Sequence, residues 1–449
     1  MEALRRSHSL LRRFNNPRNL RRTYAINAST IDASAQPSVP PPWRPSTVLD
    51  EWVAREAHPI SLRQLTFFGR SLSEARLLSS ANYVRMELPT RIAHRLRDMQ
   101  TLPYQALTNK HIGHVYELYY AAFEQFRKVP EIRTLDDNDR FCQVIKTTLN
   151  QHLTVIPHLA IGVLEIQGSV KSEQCDRFMN TLLRSRISRR VIAEQHLALT
   201  DTFHSPWHFP DAKKSPMAPE DDFIGEIFLR CNARELIEKC AEIARAATKQ
   251  AYGLDVVLPE IVVKGHLDIT FPYIPSHLEY IIGELLRNSI QSTVETFSPA
   301  SPSTKPPPIE VLVCEAPQHI IIRVSDQAGG VDPEVLPYLW SFAKGPRKSK
   351  RLRNLNQVPR LAATPEDVVT QTSQQKENVK PDSLSPITAR SADLKLGIGL
   401  PMSRIYAEYW AGNLELHSLE GYGSDAFLQI SRLGNKNEVL STRAMMDAV

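Results

Sequence analysis

The chain has 449 residues, 42% of them apolar and 23% charged, with a formal net charge of +5. That length suits about two domains plus tails, and no run of about 18 apolar residues exists to span a membrane as a helix. Cys142, Cys175, Cys231, Cys240 and Cys314 occur without a C-x-x-C pair, which argues against a zinc ribbon or a disulfide scaffold and for a reducing compartment.

The positive charge is local. Residues 1–24 hold seven arginines and a single acid, Glu2, so the rest of the chain is close to neutral. The sequence therefore gives no argument for nucleic acid as a partner. Arginine-rich, serine-containing and acid-poor composition predicts a mitochondrial presequence over 1–24. Leu4, Leu10, Leu11 and Phe14 can line one face of a helix there, and Arg22-Thr23-Tyr24-Ala25 resembles a matrix-peptidase site. Residues 25–47, rich in Ser, Ala and Pro, read as a linker.

From about 48 to 205 the pattern is helical, within a helical domain expected over 48–215. Leu88, Ile92, Leu96 and Met99 recur at spacings of three and four. Val115 to Phe126, Val155 to Leu164 and Phe178 to His196 do the same, which predicts an antiparallel four-helix bundle. Pro89, Pro103, Pro130 and Pro157 are expected near helix starts or breaks. Residues 206–222 mark a boundary. After it come a helix over 233–251, apolar runs at 256–263 and 267–271, a helix over 276–296, and apolar runs at 309–314 and 320–324. Helix, strand, strand follow over 401–434. The expectation over 222–435 is a mixed sheet covered by helices. Residues 346–392 read as a mobile insertion, and 436–449 as a tail.

Three short segments can carry chemistry. In Glu284-Leu285-Leu286-Arg287-Asn288, the i, i+4 spacing puts a carboxylate and a carboxamide on one helix face. Such a pair can accept a proton and ligate a hard cation; alone it also suits a solvated face. In Val324-Ser325-Asp326-Gln327-Ala328-Gly329-Gly330, an apolar strand runs into an aspartate and two glycines. The aspartate can accept from a nucleobase amine and the glycines permit close backbone approach; a tight turn would look the same. Leu396-Gly397-Ile398-Gly399-Leu400-Pro401 precedes a helix whose first N–H groups suit phosphate.

In this order the three resemble the N and two glycine boxes of the GHKL superfamily of gyrases, heat-shock chaperones and histidine kinases. Within it the chain is similar to the mitochondrial kinases of the pyruvate and branched-chain 2-oxoacid dehydrogenase complexes. The similarity runs from about residue 50 to 435. It includes Glu87-Leu88-Pro89-Thr90-Arg91, Arg184-Ser185-Arg186-Ile187-Ser188-Arg189-Arg190, Glu194-Gln195-His196 and Leu419-Glu420-Gly421-Tyr422-Gly423-Ser424-Asp425.

The resemblance implies a four-helix bundle followed by a Bergerat-type α/β ATP-binding domain. It implies Glu284 as general base, Asn288 as ligand to Mg²⁺, and Asp326 as acceptor from adenine. Gly330, Gly397, Gly399 and Ser424 complete the ATP site it implies. His152, Arg186 and Arg190 match a regulatory pocket for a small acid in the bundle. The partners implied are the E1α subunit of a 2-oxoacid dehydrogenase complex, the E2 lipoyl domain and a second copy of the chain, in the mitochondrial matrix. Pyruvate dehydrogenase is the first choice and the branched-chain enzyme the second.

The chain departs from the family at Ala328 and Lys395, where glycine is usual, and at Gln291, where arginine is usual. Leu149 stands near a further family arginine, Tyr280 stands where pyruvate-type members often have histidine, and the C-terminal Asp-Trp pair is missing. Two other readings remain at this stage. A histidine kinase would place Glu or Asp after its accepting histidine, but Leu153 follows His152 and Leu197 follows His196. A weakly ATP-binding scaffold is motivated by the departures themselves.

Overall fold

The computed structural model describes residues 46–69, 72–205, 223–297, 305–358 and 394–440. The expected presequence, the linker up to residue 45, most of the insertion and the last nine residues lie outside them. The chain divides into Met1–Val48 and Leu49–Val449; only 46–48 of the first part are described, in α1 (Ser46–Val53).

The first half is helical: α2 (Leu62–Gly69), α3 (Glu74–Gln100), α4 (Tyr104–Leu107), α5 (Lys110–Arg127), α6 (Leu135–Gln151), α7 (Val155–Glu165) and α8 (Ser172–His204). Starts are set by side-chain caps. Ser73 accepts from the Arg76 N–H, and Thr134 and Asp137 form a reciprocal capping box. The residues at helical spacing face inward: Leu88, Ile92, Leu96 and Met99 meet Val115, Tyr119, Phe123 and Phe126, and all are buried. α3 packs on α5, α6 and α8, and α5 on α7.

One expectation changes here. Pro89 does not break a helix but lies inside α3. It removes one N–H from the ladder, and burial on both sides holds the helix through the gap. α6, whose Phe141, Cys142 and Ile145 are buried, was not singled out by periodicity, because Asp136, Asp137, Asn138, Asp139 and Arg140 crowd its first turns.

The second half begins with β1 (Phe223–Ile224) and β2 (Ile227–Asn232), then α9 (Ala233–Tyr252), β3 (Ile261–Gly265), β4 (Thr270–Tyr273) and α10 (Pro275–Phe297). It continues with β5 (Ile309–Glu315), β6 (His319–Asp326), α11 (Lys348–Asn356), α12 (Gly399–Tyr409), β7 (Asn413–Leu419) and β8 (Gly423–Ser431). The main sheet has the order β3-β5-β6-β8-β7, with β3 parallel to β5 and every other pairing antiparallel. A small antiparallel sheet, β1-β2-β4, stands apart; β1 and β2 had no clear sequence signal. α11 also differs from expectation. It falls inside the segment read as a mobile insertion, yet Arg351, Asn354 and Leu355 are buried.

A buried charge cluster joins the halves. Arg91 on α3 pairs with Glu87 (2.9 Å) and with Glu438 (2.9 Å) from the segment after β8. Glu438 also accepts from the Ile60 N–H (3.1 Å) and from the Tyr409 hydroxyl on α12. The Glu438 side chain is fully buried and that of Arg91 nearly so. The two carboxylates hold the Arg91 guanidinium above its ordinary pKa against the cost of burial, and burial beside Glu438 pushes the Tyr409 phenol well up. Residue 438 is therefore an anchored part of the fold, not free tail. Arg91→Met would leave two buried carboxylates without their cation. The expected loss is about 3–5 kcal/mol in denaturant unfolding, and a loss below about 1 kcal/mol would contradict the assignment.

Candidate active site

β6 carries the first site residue. Its side chains alternate, and Ile320, Ile322 and Val324 are buried on one face. Period two puts Asp326 at the end of that same row, so the core itself draws the carboxylate inward; it is 8% exposed. Its Oδ2 accepts from the Ser289 hydroxyl (2.8 Å) and its Oδ1 from the Ala328 N–H (3.1 Å). Burial nevertheless raises its pKa above the usual aspartate value, with the Ser289 and Ala328 donors pulling the other way. Across the register Asp326 faces Ser424 on β8.

Asp326 opens onto a cavity of about 450 Å³. Asn288, Ser289, Gly330, Gly397, Gly399 and Ser424 also line it. α10 supplies Asn288 and Ser289, and the turn after β6 supplies Gly330. Gly330 has φ +79°, and a Cβ there would lie 2.5 Å from the Leu419 carbonyl. Ala328 is not among the described residues with positive φ, so its methyl costs the turn no left-handed strain. Gly399 is the first residue of α12, whose N-cap Ile398 offers no side-chain acceptor. The N–H groups of that first turn are thus left for a ligand or water.

Glu284 behaves differently from its expected partner. It is 1% exposed and does not line the cavity. Arg287 pairs with it at 2.6 Å. It lies directly behind Gly399, where an added Cβ would come within 2.1 Å of its Oε2. Asn288, one turn on, is half-buried and reaches the cavity, and no protein group hydrogen-bonds its carboxamide among the described residues.

The departures Gln291 and Lys395 prove to be neighbours. The Lys395 ammonium donates to Glu295 (2.7 Å), and Gln291 donates to the same carboxylate (3.0 Å) and to Tyr252 (2.9 Å). In the sequence they stand as separate departures, because the ion pair that joins Lys395 to Glu295 spans 100 positions. Tyr280 is buried with its ring 5.0 Å from that of Tyr406.

In the helical half, His152, Arg186 and Arg190 share a second, much smaller cavity of about 30 Å³. Burial, with the neighbouring arginines, lowers His152 to a pKa of about 3, so it is neutral near pH 7. Leu149 lines this cavity, and so does Arg189, a residue not picked out beforehand. Arg189 stacks over Tyr119 and donates to the Ser185 carbonyl, while its Nη2 has no partner among the described residues.

The Asp326 environment can be tested directly. Ser289→Ala removes a donor that favours the ionised carboxylate. Asp326 should then titrate higher still by carbon NMR of its carboxyl group; an unchanged or lower midpoint would refute the arrangement.

Comparison with known proteins bears on this geometry. Residues 59–228 match the family described as mitochondrial branched-chain alpha-ketoacid dehydrogenase kinase. The chain is 34% identical to pyruvate dehydrogenase (acetyl-transferring) kinase 2, mitochondrial, of Saccharomyces cerevisiae, over 86% of this chain and 84% of that protein. It is 31% identical to the mitochondrial pyruvate dehydrogenase (acetyl-transferring) kinase of Arabidopsis thaliana, over 87% and 94%. With human isozyme 3 of that kinase the identity is 28% over 84% of each chain. Buried aspartate at a strand end, carboxamide on the facing helix, glycine turn before α12, and identity sustained along both halves agree: this chain belongs to the family of mitochondrial 2-oxoacid dehydrogenase kinases.

Proposed function

We propose that this protein is an ATP- and Mg²⁺-dependent protein serine kinase of the mitochondrial matrix that phosphorylates and inactivates the E1α subunit of the pyruvate dehydrogenase complex. The observation that carries it is the single cavity onto which Asn288, Asp326, Gly397 and Gly399 all open. Relatives named for pyruvate dehydrogenase match along most of the chain, which supports pyruvate dehydrogenase as the target; the family that matches residues 59–228 carries the branched-chain name.

In this reading Asp326 accepts from the adenine amino group, with Ser424 beside it on β8. The first N–H groups of α12 and the Gly397 turn receive phosphate. Asn288 suits Mg²⁺: an oxygen donor at the cavity wall, with no group of three or more His, Cys, Asp or Glu fit for a metal among the described residues. A hard cation that takes most of its ligands from phosphate and water needs little more from the protein. The ion would offset phosphate charge during transfer. Glu284 is the general base: it takes the proton of the attacking serine hydroxyl as that oxygen bonds to the terminal phosphorus and ADP leaves. Arg287 holds its orientation. Gly399 must move aside or the serine must approach past it, since Glu284 is sealed in this conformation.

The helical half is read as the family's bundle and the second half as its Bergerat-type domain. An E2 lipoyl domain and a second copy of the chain complete the proposed assembly. His152, Arg186 and Arg190, joined by Arg189, would receive a small carboxylate. A space of about 30 Å³ holds roughly one water, so those side chains must part to admit it.

The test is incubation with each purified E1 and labelled ATP, followed by mapping of the labelled residue. Acid-stable phosphoserine on pyruvate dehydrogenase E1α is expected. Label on the branched-chain E1α alone, acid-labile phosphohistidine, or no label would each overturn the proposal. Glu284→Gln should lower the rate about 10²–10⁴-fold while ATP binding, by calorimetry, stays within a few-fold. Because Asp326 accepts from adenine more strongly as a carboxylate and its pKa is raised, ATP affinity should fall on acidification sooner than an ordinary aspartate would dictate.

A further inference from the structure

Arg351 on α11 is 7% exposed, and among the described residues no carboxylate lies in hydrogen-bond contact with it. Its guanidinium is satisfied by four backbone carbonyls instead. Nη2 donates to Phe342 (2.9 Å) and Gly397 (3.1 Å), Nη1 to Lys344 (3.2 Å), and Nε to Leu396 (3.4 Å). An arginine has five N–H donors, so four are engaged within the protein and little remains for a ligand.

Those carbonyls belong to two loops that the guanidinium bridges. One is 342–344, the other the Leu396–Gly397 turn ahead of α12. α11 holds the second loop once more, through Asn354 to the Lys395 carbonyl (2.9 Å). Lys395 then grips α10 by its ion pair with Glu295. The first loop is fixed from the helical half. Asp176 on α8 accepts from the N–H groups of Phe342 (2.8 Å) and Ala343 (3.1 Å) and from the Ser341 hydroxyl (2.6 Å). Glu173 on the same helix pairs with Lys344 (2.8 Å). Gly397 has φ +71°, and a Cβ on it would lie 2.4 Å from the Arg351 Nε. The turn and the guanidinium are therefore fitted to each other.

We propose that Arg351 is a positioning residue for phosphate binding: it ties the Leu396–Gly397 turn to the 342–344 loop, and through Asp176 to α8, so that the turn is already shaped before a nucleotide arrives. A trans peptide opposes its C=O and N–H. Carbonyls of Leu396 and Gly397 drawn to the guanidinium leave the N–H groups of Gly397 and Ile398 on the other side, and keep two carbonyl oxygens from facing an anion. Lys395, where the family usually has glycine, belongs to the same fastening. The inference rests on the cavity being the ATP site.

The experiment compares ATP with adenosine, which keeps the base and lacks the phosphates. Binding of each, with Mg²⁺ present, is measured by calorimetry on full-length wild type, Arg351→Met and Arg351→Lys. Arg351→Met should weaken ATP about tenfold and leave adenosine within twofold. Arg351→Lys, which keeps the charge but reaches fewer carbonyls, should fall between. Amide exchange at 394–398 should quicken in Arg351→Met without nucleotide. Equal loss of ATP and adenosine would mean a general structural role and overturn the inference, as would unchanged ATP binding in both variants. Should Arg351→Met fail to fold, Arg351→Lys decides alone: selective weakening of ATP supports the role and wild-type binding refutes it. Wild type that binds neither compound would refute the ATP site itself, a separate failure.

Discussion

A guanidinium buried between two carboxylates is the constraint on which the two halves depend. Removing Arg91, Glu87 and Glu438 from water costs several kcal/mol per ion, and only close pairing returns it. The Arg91 and Glu438 side chains are almost wholly shielded, so neither tolerates separation from the other. α3, α12 and the chain after β8 must then meet at one point, because Tyr409 and Ile60 supply the remaining donors to Glu438. Apolar packing alone would let these elements slide. Directional bonds to a buried charge fix their register, and with it the place where α12 begins.

That starting point matters for chemistry. Gly399 opens α12 with Glu284 directly behind it, and Asn288 lies one turn further along α10. The same helix brings Ser289 to the carboxylate of Asp326. One element thus presents Glu284, Asn288 and the hydroxyl that holds Asp326, while the sheet presents Asp326 and Ser424 as cross-strand neighbours. The site is assembled by the contact of α10 with β6 and α12, not by any loop taken alone.

The departures from the family pattern read differently once packed. Ala328 sits at negative φ, so the missing glycine costs no strain there. Gln291 and Lys395 converge on Glu295, replacing loose glycine with an ion pair at the foot of the turn before α12. α11, within a stretch whose composition suggested an insertion without structure, supplies the guanidinium that holds the same turn.

Periodicity of the sequence by itself determined most helices and the strands β5 to β8, because spacing along the chain decides which side chains share a face. The short motifs, an aspartate at a strand end and glycines before a helix, singled out Asp326, Gly397 and Gly399, and i, i+4 spacing singled out Asn288. It also placed Glu284 on the same helix as Asn288, but not that an arginine and a glycine would close over it. Only the tertiary structure decided the strand order, the anchoring of Glu438 to Ile60 across 378 positions, the grip of Asp176 on Phe342 across 166, and the partner of Lys395. Hydrogen bonds and ion pairs between residues so far apart leave no period and no local composition behind. Their energy depends on distance and burial in space, which arise only when the chain has packed.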